Sequence, residues 1–364
     1  MTTGDYAFSI VQAYSEIGNH RTGTQVDKDT VRWLDSELTA CGAEVLFQKF
    51  PYHHFDAHLK VQSAGNHINA EALHYSFAGQ SSLRNPAAGV VDAHADEAVI
   101  TREINALVAM ARADRHDGLI LGTMCPTGIQ CNINRTYESY LDFPVVLVAP
   151  QDLATIRAQG AEVSIKSSIH QSQATNVIAQ FPGPKNARHI VVTTPISGWF
   201  RCAGERGCGI AVAIIVSKRL SEHFAVDLLL ASGHELGFLG GFHLANNYNA
   251  DQLAVLHLGS CIANSDAQMT SVLSAEPETT RDISEALKNI DITPTLPADA
   301  TNPDDWIGES MCWAHNGRPM LSVAGQAPNF HTPCDLPERV TSADLLERSI
   351  DAIERATLAL VLSR

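Results

Sequence analysis

Four short stretches concentrate side chains that can do chemistry. One reads Arg201-Cys202-Ala203-Gly204-Glu205-Arg206-Gly207-Cys208-Gly209. A second reads Ser232-Gly233-His234-Glu235-Leu236-Gly237. A third is Gly259-Ser260-Cys261, and a fourth is Asn329-Phe330-His331-Thr332-Pro333-Cys334-Asp335. Imidazole, carboxylate and thiol groups hold metals or act as bases and nucleophiles. Cys202 and Cys208 flank the start of a helix expected from Gly207, where the helix dipole lowers a thiol pKa. That permits a nucleophilic pair of Cys208 or Cys202 with His234 or His331, or a softer metal site of Cys with His. The plainer reading is small apolar filler. Trp199, Arg201 and Arg206 offer an aromatic face and guanidinium groups to a substrate ring and carboxylate.

These stretches need elements that bring them together. After Asn176 the chain alternates between apolar strand runs and helical patterns. Strands are expected at His189–Thr194, Val226–Ala231, Leu253–Leu258 and Pro319–Val323. Helices are expected at Gly207–Leu220, Gly237–Asn247 and 342–362. Strands alternating with helices of this length argue an α/β fold, a mostly parallel sheet with helices on both faces. In open sheets of this kind ligands bind beyond the carboxyl ends of the strands, where these stretches fall. Near the N-terminus, residues 26–40 carry Val31, Leu34 and Leu38 at helical spacing, with Gly42 as a stop and a strand at Ala43–Phe50. From 54 to 170 short apolar runs alternate with Gly, Asn, Pro and Ser clusters. This reads as an inserted β-rich unit with one or two helices, for instance 101–112, splitting the main domain into 1–53 and 171–364.

The 364 residues are 45% hydrophobic and 18% charged, enough for a packed core. The formal charge of −15 argues against sequence-independent nucleic-acid binding. No run approaches the roughly 18 apolar residues of a membrane helix. Met1 to Tyr14 lacks a basic start followed by a long apolar block, so a cytoplasmic protein is expected. The 8 cysteines form no Cys-x-x-Cys pair, and reduced thiols are expected.

The set of motifs resembles metallopeptidase family twenty-eight, the zinc aminopeptidases and glutaminyl cyclases, over nearly the whole chain. Gly18-Asn19-His20-Arg21-Thr22-Gly23-Thr24 is similar to its Arg- and Gly-containing opening. Asn176-Val177-Ile178-Ala179, with Gly183, is similar to its entry into the catalytic sheet. Ser232 to Gly241 resembles its Glu-Glu motif, and Phe330-His331-Thr332-Pro333-x-Asp335 its terminal His motif. The insert resembles a protease-associated domain.

The resemblance implies a two-zinc site, and this chain departs from it. Pro195 and Ser197 stand where the family has a His and an Asp, and a later Asp falls near Gly259 or Ser260. His234 stands at the general-base Glu. The resemblance leaves Glu205, Glu235 and His331 as ligands for at most one zinc, with His234 as base and Asp335 orienting His331 from behind. Glu309, with Trp306 and Trp313, lies in the segment that shapes specificity in the family. The expected function is hydrolysis of an amide or related C–N bond in a small or short peptide-like substrate. The alternatives are a non-catalytic binding protein on the same fold and a metal-independent Cys–His enzyme.

Overall fold

The structure, a computed structural model, describes residues 1–248 and 252–362. Two helices open the chain, α1 (Thr3–Ile17) and α2 (Gln25–Ala40), followed by β1 (Glu44–Ser63). The next elements are β2 (Asn66–His67), β3 (Ala70–Ala72), β4 (Gly79–Leu83), β5 (Ala87–Asp92), α3 (Glu97–Ala113), β6 (Leu119–Met124), β7 (Val145–Val148), α4 (Pro150–Gln159) and β8 (Glu162–Phe181). The remainder comprises β9 (His189–Pro195), α5 (Cys208–Leu220), β10 (Ala225–Ala231), α6 (Leu239–Asn247), β11 (Ala254–Leu258), β12 (Gln268–Ser274), α7 (Pro277–Leu287), β13 (Met320–Gln326), α8 (Pro337–Val340) and α9 (Ala343–Leu362).

The main sheet runs β12-β13-β11-β9-β10-β8-β1-β2, with β4 added against β8. Its four central strands, β13, β11, β9 and β10, are parallel, and antiparallel strands flank them. The central strands are buried on both faces, which is why they read as unbroken apolar runs. Alternation decides which face each residue serves. Ile190 and Val192 pack with α1, α5 and α9, whereas Val191 packs with Leu244 of α6, Trp306 and Trp313. Helix α5 is buried along nearly its whole length.

The segment expected as an insert differs from its sequence reading in its ends and in its architecture. The strand expected at Ala43–Phe50 runs on to Ser63, and β1 pairs with β8 as a long ribbon, from Glu44 opposite Gln180 to Gln62 opposite Glu162. His54 lies opposite His170 in that register, so the expected insert boundaries fall inside continuous strands. The second sheet, β3-β7-β6-β5, has parallel β5–β6 and β6–β7 pairs with α3 and α4 beside it. It is a small α/β unit, because Ala88–Val91, Leu119–Leu121 and Val145–Val148 are linked by crossovers long enough for parallel pairing.

Asn176 joins three parts of the main domain. Its side chain donates to Gln48 Oε1 at 3.0 Å and to the Gly240 carbonyl at 3.1 Å, and accepts from Ser232 N–H at 2.9 Å. A Cβ on Gly240 would lie 1.9 Å from the Ser232 carbonyl oxygen, so only glycine lets α6 approach this strand end. Asn176→Ala leaves the buried Ser232 N–H without its partner. It is expected to lower stability by about 1–3 kcal/mol, read from urea unfolding.

Candidate functional site

The carboxyl ends of β9 and β10 meet at Ser197. Its hydroxyl donates to Glu235 Oε2 at 2.7 Å and accepts the N–H groups of Gly233 and His234 at 2.8 and 3.1 Å. Thr22 N–H donates to the other Glu235 oxygen at 2.7 Å. Both oxygens of Glu235 are thus held by the chain's own donors. The turn that presents His234 is built on positive φ at Gly233 (87°) and Gly237 (75°). Phe238 continues the positive φ, so α6 starts at Leu239 and not at Gly237.

The segment Ala203–Gly207 is a π-type turn leading into α5, a form that often marks functional sites. It presents Glu205 and Arg206, both with no solvent exposure. Arg206 Nη2 lies 2.8 Å from Glu205 Oε1, and His331 Nε2 lies 3.3 Å from the same oxygen. Burial alone would raise the Glu205 carboxyl, but the charges of His331 and Arg206 outweigh it and hold the group below its ordinary value. Arg206 also donates from Nε to the Ser197 carbonyl at 2.9 Å and from Nη1 to the Glu205 carbonyl at 3.3 Å.

A second pair lies nearby. His234 Nδ1 stands 3.3 Å from Glu309 Oε1. Burial, with the charge of Arg206, pushes His234 well below its ordinary value, and burial raises Glu309 to about 8. His257, fully buried on β11, hydrogen-bonds Ser322 Oγ through Nδ1 at 2.8 Å and is lowered to about 3 by burial and by Arg206.

The structure brings Glu205, Arg206, His331, His234 and Glu309 into one buried region and sends other expected residues elsewhere. Asp335 does not orient the His331 imidazole. It accepts from Gly204 N–H at 2.7 Å and Glu205 N–H at 2.9 Å, because the π-type turn leaves these donors free. The partner of His331 Nδ1 is the Asn132 carbonyl, at 3.1 Å, supplied by the insert. Cys208 is fully buried, and its thiol is pushed up by burial. Helical winding already begins at Ala203, so Cys208 is not at the positive end expected to activate it. Cys202 is likewise buried and raised, with Tyr14 Oη at 3.3 Å. Trp199 is buried, donating to Asn134 Oδ1 at 2.9 Å, and Arg201 is exposed and donates to the Ser15 carbonyl at 2.9 Å.

The trio Glu205, Glu235 and His331 does not fit a zinc ion. Both Glu235 oxygens are turned to Ser197 and Thr22, and a fixed guanidinium charge sits on Glu205. Among the described residues, no three His, Cys, Asp or Glu side chains stand together as a metal's ligands do.

Sequence reasoning missed His257 and Asn132. His257 carried one signal, a lone polar side chain inside the run Ala254-Val255-Leu256-His257-Leu258. Asn132 carried none, because its role is a backbone carbonyl delivered from the insert. The insert also gives Asn132 N–H to the His331 carbonyl at 3.0 Å and Arg135 N–H to the Glu235 carbonyl at 3.2 Å.

The fold is that of the zinc aminopeptidases. An aminopeptidase of this class, BSAP from Bacillus subtilis, superposes with a TM-score of 0.74 at 17% identity, covering 98% of this chain and 94% of that one. A peptidase M28 precursor from Shewanella amazonensis gives 0.72 at 15% identity, covering 98% and 93%. Glutaminyl cyclase from Porphyromonas gingivalis gives 0.53 at 11% identity, covering 97% of each chain. No family model and no curated protein matches the sequence. Among the described residues no helix is long and apolar enough to cross a membrane.

Asp27 provides a pH test of how the site is held. It is buried, accepting from Gly23 N–H at 2.8 Å and Ser232 Oγ at 3.2 Å, and burial raises it to about 7 despite these bonds. Glu235 adds to the rise, and Lys28 opposes it. A carboxyl raised above its unfolded value of about 3.9 favours the folded state fully only below that value, and the contribution is lost as pH rises through about 7. Asp27→Asn removes this titration. The fall in melting temperature from about pH 5.5 to about pH 8.5 is expected to be shallower in the variant than in the parent.

Proposed function

We propose that this chain carries out amide-bond hydrolysis or acyl transfer on a small or short peptide-like substrate. His234 is the acid–base residue, oriented by Glu309, and no step uses a metal. The observation that carries the reading is the His234–Glu309 contact of 3.3 Å at the carboxyl end of the parallel strands. Glu309 faces Nδ1 at 3.3 Å, and Nε2 is the nitrogen left for the reacting group. Burial lowers His234 and raises Glu309, which favours a neutral imidazole whose Nε2 can accept a proton. His234 takes a proton from the attacking water as its oxygen bonds to the carbonyl carbon. The same proton goes to the nitrogen as the C–N bond breaks. The fixed charge of Arg206 favours the negative charge that develops on the carbonyl oxygen. Aminopeptidases and a glutaminyl cyclase on this fold supply the reaction class by analogy.

A second reading, a binding protein without catalysis, is favoured by burial. Glu205 and Arg206 have 0% exposure, Glu309 has 1%, and His234, the most open of the four, has 9%.

The test is a panel of short amides with chelator-treated protein, His234→Ala and Glu309→Gln. Turnover that persists in chelator and falls by about 10²–10⁴ in His234→Ala is expected. Turnover that vanishes with chelator and returns with zinc overturns the metal-free reading. Ligand binding without turnover decides for the second reading.

A further inference from the structure

A cavity of about 320 Å³ lies on the α5 and α9 side of the main sheet. Three segments meet around it: the connection from β11 to β12, the turn after α7 and the first half of α9. Its floor is apolar and closed. Ile262, Ile292, Val323 and Ile353 line it, and none exceeds 2% exposure. Its rim is open and carries two opposite charges, the exposed side chains of Asp291 and Arg348. Among the described residues neither has an ion-pair partner. A volume of this size, with an apolar wall and a few polar groups, is that of a small-ligand site. Ala263 and Asp291, which both line it, have φ of 51° and 56°, in the left-handed region that L-residues disfavour. Strain of this kind collects at ligand clamps. Asn264 lines the same cavity and is 6% exposed. Its Nδ2 has no hydrogen-bond partner, so a shift of this amide toward a ligand breaks no bond.

We propose that this cavity binds a free aliphatic α-amino acid, at a site separate from His234 and Glu309. The two rim charges match the two ends of a zwitterion. Arg348 donates to the carboxylate, and the ammonium donates to Asp291. The aliphatic floor takes the side chain out of water. A fatty acid of the same shape leaves Asp291 facing a like charge, and an alkylamine does the same to Arg348, so the rim selects against both. Asn264 also connects the cavity to the π-type turn, because a Cβ on Gly204 would lie 2.5 Å from its Nδ2. Occupancy of the cavity is thus felt one side chain away from the turn that presents Glu205 and Arg206. The inference does not depend on the amide reading, since its readout is binding rather than turnover.

The experiment titrates the full chain by calorimetry with L-leucine, 4-methylpentanoate, isopentylamine and glycine. These probes remove the ammonium, the carboxylate and the side chain in turn. The parent is expected to bind about one leucine per chain with a Kd at or below about 1 mM. Each of the other three is expected to bind at least about tenfold more weakly. Arg348→Gln and Asp291→Asn replace exposed side chains, so the melting temperature of the ligand-free protein is expected to stay unchanged. Each is expected to weaken leucine binding by about tenfold or more. His234→Ala is expected to bind leucine as the parent does, which separates the cavity from the His234–Glu309 pair. A parent with no saturable leucine binding overturns the proposal. So does binding that is lost in His234→Ala and kept in both rim variants, or 4-methylpentanoate or isopentylamine binding as tightly as leucine.

Discussion

The buried pair of Glu205 and Arg206 is the constraint around which the site is built. Neither side chain has any exposure, and taking two such charges out of water costs several kcal/mol for each ion before they attract one another. The surrounding chain must supply fixed partners in return. Arg206 is held by two carbonyls as well as by its carboxylate, and Glu205 by the Arg206 and His331 side chains. Asp335 takes the N–H groups of Gly204 and Glu205, which the first turn leaves without a backbone partner. Cys202, at a φ of 25°, is where the backbone bends to allow it.

Ser197 ties this pair to the rest of the strand ends. Its carbonyl accepts from Arg206, its hydroxyl donates a hydrogen bond to Glu235, and the same hydroxyl accepts two N–H groups from the turn that carries His234. One residue thereby contacts both the Arg206 guanidinium and the backbone of His234. Glu235 is a structural acceptor, shared between Ser197 and Thr22. A pocket of this kind cannot change one member without disturbing the others, because buried polar groups left without partners are costly.

The insert completes the site from the opposite side. The long β1–β8 ribbon carries it away from the main sheet, and the segment around Asn132–Arg135 returns to meet His331, Glu235 and Trp199. Function placed on loops above a rigid sheet is a common arrangement, and here the loops come from both units.

The sequence by itself determined the alternation of strands and helices, because unbroken apolar runs and helical spacing report burial directly. It also determined that Glu205, Arg206, His234, Glu235 and His331 stand at strand ends or on site loops. The insert expected at 54–170 begins and ends inside the paired strands β1 and β8, because strand length depends on a partner more than 100 residues away. Which of the titratable residues meet was decided only by the tertiary structure. Glu235 and Asp335 read as a ligand and its helper, yet each is spent on backbone and hydroxyl donors from distant segments. Glu309, placed by resemblance in a specificity segment, became the partner of His234, and Arg206 became a buried charge. Spacing along a chain lists the groups available, but burial and distance across the fold decide which charges must neutralise one another.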